Sequence, residues 1–438
     1  MHWGTVIKWW WSASNPGFLV IFCGTYLWLC LCSSGATGTS ESLFHSRRVD
    51  LRLNPDCQVS TGQPDCSQYD IRNCSECVNN LVYVKSTGAS DTVHVVLAAL
   101  SCSLAPSLLI LRTTNGTPLN FFWPNLTTGA SPGVTSEGLV SSAFGVILSK
   151  IYLFNDQADL ADISSVSSDQ VLTLETNALR WTNITIDEAS SLKLCSSKES
   201  LLNYGTLCLN FRWHHETGRS EEMPRLLFTE ESVELEFELK NFTTSKEWTN
   251  LRLALQLSVA VDRKQDLEDF SIQRTESIDD EYTPGIFRSC YLDLPAQNGY
   301  LLWKPVCYKS IERIRSSLTQ TSHSNIKTVL HWPSSVAASY FNRSNPTVSV
   351  EAFNISLGYP KDHFYSSTNY TVWTLAAGQG ARPTDVFSIF MVSMMTACFA
   401  LLIPGSVLIV TGLGCVFLRI TKWRRSRRNQ KMEPSTST

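Results

Sequence analysis

Val233-Glu234-Leu235-Glu236-Phe237-Glu238-Leu239-Lys240 alternates apolar and charged side chains without a break. Two further stretches do the same. Leu207, Leu209, Phe211 and Trp213 interleave with Cys208, Asn210 and Arg212, and Leu251 to Val259 interleaves leucines with Arg252, Ala254, Gln256 and Ser258. A period of two puts alternate side chains on opposite faces of a strand, so one row enters a core while the other faces away. Repeated over neighbouring segments, this is the pattern of an antiparallel sheet. The glutamate row reads most simply as its solvated face. Working outward, strands are expected at Leu81–Lys85, Thr92–Leu100, Ser107–Thr113, Ala143–Phe154, Gly285–Leu292, Tyr300–Val306, Val348–Leu357 and Thr371–Ala376. Only Ile311–Leu318 reads as helix, and the acidic Asp156–Asp162 as an exposed turn or loop. So many short strands exceed one ordinary sandwich, and two packed β modules are expected, or a single enlarged one.

The strands stop before a stretch of another kind. Residues 386–418 contain no Asp, Glu, Lys, Arg or His, and about 20 apolar residues suffice for a helix to cross a bilayer. Directly behind it stand Arg419, Lys422, Arg424, Arg425, Arg427, Arg428 and Lys431. Basic residues remain on the cytoplasmic side, which makes 419–438 a cytosolic tail and sends everything upstream outside or into a lumen. At the other end, Lys8, the apolar Phe18–Leu31 and the small Ser33, Ser34, Gly35 and Ala36 follow the order of a secretory signal. Residues 1–36 are therefore expected to be removed, the other reading being an uncleaved anchor. Residues 37–80, polar and Cys-rich, read as an irregular extension ahead of a lumenal β domain at 81–385. The tail contributes +6 and Lys8 +1 to a chain total of −3, which leaves −10 for the translocated part. An acidic ectodomain without basic-aromatic interleaving gives no reason to expect nucleic acid. The basic tail is suited to anionic lipid heads.

Eight sequons, at Asn73, Asn115, Asn125, Asn183, Asn241, Asn342, Asn354 and Asn369, all fall upstream of the span. Glycans need solvent, so these asparagines are expected on surface turns or outward strand faces. Nine cysteines share that region: Cys57, Cys66, Cys74, Cys77, Cys102, Cys195, Cys208, Cys290 and Cys307. An oxidising compartment favours pairing, and an odd number leaves one over. Proximity in sequence suggests Cys195 with Cys208 and Cys290 with Cys307. The group from Cys57 to Cys77 could bind zinc or form a redox pair, but in a secreted chain small disulfide loops are the simpler expectation.

Catalytic signatures are missing. There is no His-Glu-x-x-His, Gly-x-Ser-x-Gly, phosphate loop or dinucleotide fingerprint. Asp279, Asp280 and Glu281 could serve a glycosidase as paired carboxylates, yet adjacent strand residues point to opposite faces, and such a run more often caps a turn. The His214–His215 pair follows a strand end and is expected to be exposed. The expectation is a protein that is not an enzyme, with no catalytic residues, no cofactor and no metal.

Several landmarks carry a resemblance. Ser277-Ile278-Asp279-Asp280-Glu281-Tyr282 with Pro284 and Phe287, Trp303-Lys304-Pro305-Val306 with Tyr308, Phe353-Asn354-Ile355-Ser356-Leu357-Gly358, Trp181-Thr182-Asn183-Ile184-Thr185 and Pro404-Gly405 occur in order along the chain. Together they resemble the glycosylated lysosomal membrane protein family. That resemblance implies a lysosomal type I membrane glycoprotein whose lumenal β domain is an accessory subunit. Its implied partner is a multi-span transporter of the major facilitator superfamily that exports dipeptides, and the accessory chain protects it from lysosomal proteases. Three positions depart from the family pattern. Lys304 replaces an Arg, Glu351 stands where a Cys is expected, and the tail lacks the tyrosine-based sorting signal, since no Tyr follows Tyr370. A lone span gains from small residues only where another helix approaches, because lipid is already as apolar as Leu. Ser393 and Ala397, and Thr396 and Ala400, are spaced four apart and are the expected contacts with the transporter. The alternative function is a self-standing lumenal or extracellular receptor or adhesion ectodomain.

Overall fold

The computed structural model describes residues 47–56, 81–98, 104–187 and 191–430, apart from short breaks at 215, 245, 264–269, 277–282, 284–285, 287, 343–344 and 365–367. The expected signal segment, Asn73, the cysteines from Cys57 to Cys102 and the Asp279–Tyr282 run lie outside the described residues.

Two antiparallel sheets account for most of the chain from Arg47 to Asp385. The first runs in spatial order Arg48–Leu53, Leu81–Thr87, Asp91–Ala98, Ser107–Thr114, Val140–Asn155, Leu251–Asp262 and Val348–Leu357. The second runs Trp181–Asp187, Ser191–Ser196, Thr206–Trp213, Ser232–Lys240, Tyr370–Gln379, Gly299–Trp303, Arg288–Leu294 and Gln273–Glu276. Leu318–His323 stitches them together, pairing with Val306–Tyr308 on one side and with Val348–Leu357 on the other.

The apolar rows found in the sequence meet between the sheets. Leu235, Phe237 and Leu239 of the second sheet share one core with Leu253, Leu255 and Leu257 of the first. Trp303 stands at its centre, stacked on Phe353 at 5.7 Å and edge-on to Trp373 at 6.5 Å. The core is continuous and Arg47–Thr438 is a single unit. Of the two arrangements left open by the sequence, this is the enlarged sandwich.

Both outer faces are covered too. Over the first sheet lie helix α1 (Trp123–Thr128) and helix α2 (Val336–Tyr340), which bury Trp123, Leu126, Val336 and Ala337 against Leu109, Leu111 and Ile147. Pro124 opens the first helix and Gly129, at φ 66°, closes it. The Ser335 side chain caps the second by accepting from the Ala338 amide. Gly145 permits this contact, since a Cβ there would stand 2.7 Å from the Ala337 Cβ.

The structure corrects several expectations. Arg48–Leu53, inside the stretch read as irregular, is an edge strand on Leu81–Thr87. Ile311–Leu318 is no α-helix: Arg313 takes a φ of 50°, and only a 3₁₀ turn, Arg315–Ser317, follows. Asp156–Asp162 is a loop, exposed at Gln157, Ala158, Leu160 and Asp162, but it buries Asp156 fully and Asp159 and Ala161 nearly so. His214 is not exposed either; its ring stacks on Phe228 at 3.6 Å.

Helix α3, Ile389–Gln430, is long and apolar enough to cross a bilayer over Ile389–Arg428, with Pro404 inside it. It begins three residues later than the uncharged run and continues through Arg419–Arg428 of the basic tail.

Candidate functional site: charged clusters and the membrane-proximal edge

The glutamate row is the largest departure from the sequence reading. Glu234, Glu236 and Glu238 are 5, 7 and 5 % exposed. They do point away from the core, but remote segments roof that face. Ile286 packs with Val306, Tyr308 and Val372, with Met223, Leu318 and Tyr370 at its margin. Leu226 packs on Tyr300, Leu302 and Ala376 beside it. Each carboxylate then needs a partner. Arg212 lies 3.5 Å from Glu234, Arg313 pairs with Glu236 and also with Glu222 at 2.9 Å, and Lys193 reaches Glu238 at 2.6 Å. Burial pushes Glu236 above the usual carboxylate range against the pull of Arg313. Glu238 ends below it: burial acts upward, but hydrogen bonds from Lys193 and Tyr370 outweigh that.

Two more charge clusters have no counterpart in the sequence reading. Arg252 is fully buried and holds three carboxylates, Asp156 at 2.6 Å, Asp362 at 2.9 Å and Asp159. Its only local signal is that it is the one charge in a row of Ala254, Gln256 and Ser258. At the other end of the sandwich Glu231 takes Arg47 and Arg112, with Asp91 between the two guanidiniums. Burial raises Glu231, opposed first by Arg47 and then by Arg112. Glu351, the position expected to be Cys in the family, is buried and accepts from Thr328, Ser349 and Arg263. Lys304 is also buried, its ammonium donating to the Thr283 hydroxyl at 2.6 Å.

The segment between sandwich and helix α3 is tied to the domain. The Asp385 carboxylate lies 3.1 Å from Arg219, both side chains being 14 % exposed. Arg382 lies over the Tyr291 ring, 3.6 Å from its centroid, and 3.4 Å from Asp293. From Asp385 to Ile389 the chain covers at most about 14 Å, at 3.3–3.6 Å per residue. Arg382, which holds Tyr291 and Asp293 on Arg288–Leu294, is within about 25 Å of Ile389 by the same measure, so this edge of the sandwich is the one tied to the linker. A cavity of about 170 Å³ opens there between Arg219, Leu226, Lys304 and Pro383.

Cys195 and Cys208 face each other across neighbouring strands and are joined, S–S 2.08 Å. The expected Cys290–Cys307 bond is absent, and both are buried thiols. The register explains it: Cys290 is opposite Trp303, and Cys307 is opposite Thr319. Burial raises the first to about 11 and the second to about 12, so neither thiol ionises readily. Asn115, Asn241, Asn342 and Asn369 are exposed, Asn125 and Asn354 half-buried, and Asn183 lies on the strand Trp181–Asp187. Ser393, Thr396, Ala397 and Ala400 are exposed along helix α3. Among the described residues no group of three or more His, Cys, Asp or Glu is arranged to hold a metal ion.

The sequence pattern of the glycosylated lysosomal membrane protein family matches residues 80–422, the sandwich and the helix together. The chain belongs to this family. Its relatives include glycosylated lysosomal membrane protein of Danio rerio, 28 % identical over 94 % of this chain and 98 % of that one. Glycosylated lysosomal membrane protein B of Xenopus laevis is 28 % identical over 87 % of this chain and 93 % of its own length. The Homo sapiens protein is 24 % identical over 77 and 83 %. As a member of the glycosylated lysosomal membrane protein family, the chain is a lysosomal membrane glycoprotein with one C-terminal candidate span, and its relatives are named as membrane glycoproteins, not enzymes.

Proposed function

We propose that this protein is the accessory subunit of a multi-span transporter of the major facilitator superfamily that exports dipeptides, binding it in the lysosomal membrane and covering its lumenal loops against proteases. The observation that carries this reading is the tie at Arg219–Asp385 and Arg382–Tyr291. Here the helix enters the membrane from a segment fastened to the sandwich. Each partly exposed ion pair contributes up to about 1 kcal/mol and the cation–π contact a similar amount. Together they favour the fastened orientation by up to roughly a hundredfold, since about 1.4 kcal/mol is a factor of ten. A domain held this way presents one edge to whatever lies beside its helix, and the small residues Ser393, Thr396, Ala397 and Ala400 let a neighbouring helix come close.

Affinity purification with crosslinking and mass spectrometry should recover a multi-span transporter in stoichiometric amount. Asp385→Arg should lower that recovery several-fold and shorten the transporter's lifetime, and adding Arg219→Glu should restore both. Ala397→Leu with Ala400→Leu should weaken recovery independently. If the native chain recovers no transporter, the proposal is wrong. If the charge-reversed and enlarged variants all protect it like the native chain, neither the tie nor the helix is the binding element.

A further inference from the structure

A cavity of about 380 Å³ lies on the outer side of the first sheet, where Val140–Ala143 meets Tyr340–Asn342 and the loop before Val348. Its volume falls within the range of small-molecule sites, roughly 300–1,000 Å³. Its walls combine the faces of Tyr340 and Phe341 with the polar groups of Asp262, Gln297 and Asn345. The two rings stand edge to face, 4.9 Å apart. Gln297 is spent on the fold, holding the Ala143 amide and the Asp262 carbonyl. Burial, and the Asp262 carboxylate beside it, push Tyr340 up to about 12, so its hydroxyl stays a neutral donor. An aromatic wall with a few polar groups suits a sugar ring, which has an apolar C–H face and a polar rim.

A tethered occupant is available in the chain itself. Asn342 belongs to the cavity wall, is exposed, and heads the sequon Asn342-Arg343-Ser344. Asn115, Asn241 and Asn369 are equally exposed but do not line this cavity. We infer that the N-linked glycan on Asn342 folds back on the protein, seating its first N-acetylhexosamine against Tyr340 in this cavity. A sugar held there covers the half-buried Tyr340 and the opening beside Asp262, and costs little ordering because it is tethered at the rim. Glycans on Asn115, Asn241 and Asn369 have no seat in this cavity, whereas one on Asn342 completes the surface.

The seat protects the bond between Asn342 and its first sugar, which peptide N-glycanase must reach. Full-length glycosylated protein in mild detergent is treated with that enzyme without denaturation, and each asparagine is followed by mass spectrometry. Asn342 should be released at least tenfold more slowly than Asn115, Asn241 and Asn369, and at their rate once the protein is unfolded. Tyr340→Ala should abolish the difference. Ala296→Trp, which fills the cavity from its exposed wall, should do so without touching the aromatic pair. Equal native rates, an unmodified Asn342 beside modified neighbours, or protection that survives both substitutions would overturn the inference.

Discussion

Replacing Arg252 by Leu tests whether the buried charges of the sandwich are held as described. The guanidinium is fully buried and pairs with Asp156, Asp159 and Asp362, and its far side lies 5.6 Å from the Phe364 ring. Leu fills part of the volume but leaves three carboxylates without their cation. Removing one partner of a buried pair costs about 3–5 kcal/mol, because the remaining charge is uncompensated. Unfolding entropy near 2.1 cal/mol/K per residue gives a domain of roughly 340 residues about 0.7 kcal/mol/K, so the melting temperature should fall by about 4–7 °C. The deficit depends on pH with a definite sign. In the native chain Asp362 titrates below its usual 3.8: burial acts upward, but the Tyr359 amide and Arg252 outweigh it. Its contribution is present above the unfolded pKa and is lost as pH falls through the lower folded value. Without Arg252 the hydrogen bonds from the Tyr359 amide and the Thr319 hydroxyl remain but the pull of the guanidinium is gone, so the folded pKa rises. The variant then loses less stability than the native chain on acidification, because its Asp362 has less to lose below the unfolded pKa. The two melting temperatures should draw closer between pH 7 and about pH 3.5, below the usual carboxylate pKa, read by thermal unfolding of the full-length glycoprotein in detergent. Arg252→Lys should recover little, since a point charge cannot replace a planar fork engaging several carboxylates. A variant melting within about 1 °C of the native chain at pH 7, or a deficit equal at both pH values, would refute the reasoning.

Glu236→Gln should flatten the stability profile on the other side. Burial raises Glu236 against Arg313, so its contribution is complete below the unfolded pKa and lost as pH rises through the folded one. The variant's melting temperature should accordingly fall less than the native one between pH 4.5 and 7. Substituting Ser for Cys195 and Cys208 opens a loop closed over a separation of 13 residues. The cost should be about 2–4 kcal/mol, seen as a lower denaturant midpoint. Cys290 and Cys307 should resist maleimide in the native protein and label fully after unfolding, and a peptide containing both joined by a disulfide would contradict their description as thiols.

The alternating stretches were readable because strand periodicity is a local property. Val233–Lys240 and Leu251–Val259 assign their apolar rows to a core with no knowledge of a partner, and both rows are in it. The span was readable for a similar reason, since 33 residues without a charge have no other economical use. Cys195 and Cys208 were within reach because a hairpin brings near neighbours in sequence face to face. Cys290 and Cys307 are nearly as close in sequence, yet Gly299–Trp303 lies between them and turns each toward a different partner. Periodicity also says which way a side chain points, but not what lies over it. Glu234, Glu236 and Glu238 point outward as the pattern requires. They are buried only because Met223, Ile286 and Arg313 arrive from loops elsewhere in the chain. Arg252 meets Asp156 and Asp362 across separations of 96 and 110 residues, and Arg219 meets Asp385 across 166. The sequence by itself determined most of the strands, the span and the family. The roof over the glutamates, the carboxylates around Arg252 and the fastening of the membrane linker were decided by tertiary structure alone. Contacts between distant segments depend on the whole packing of the chain, and no local pattern encodes them.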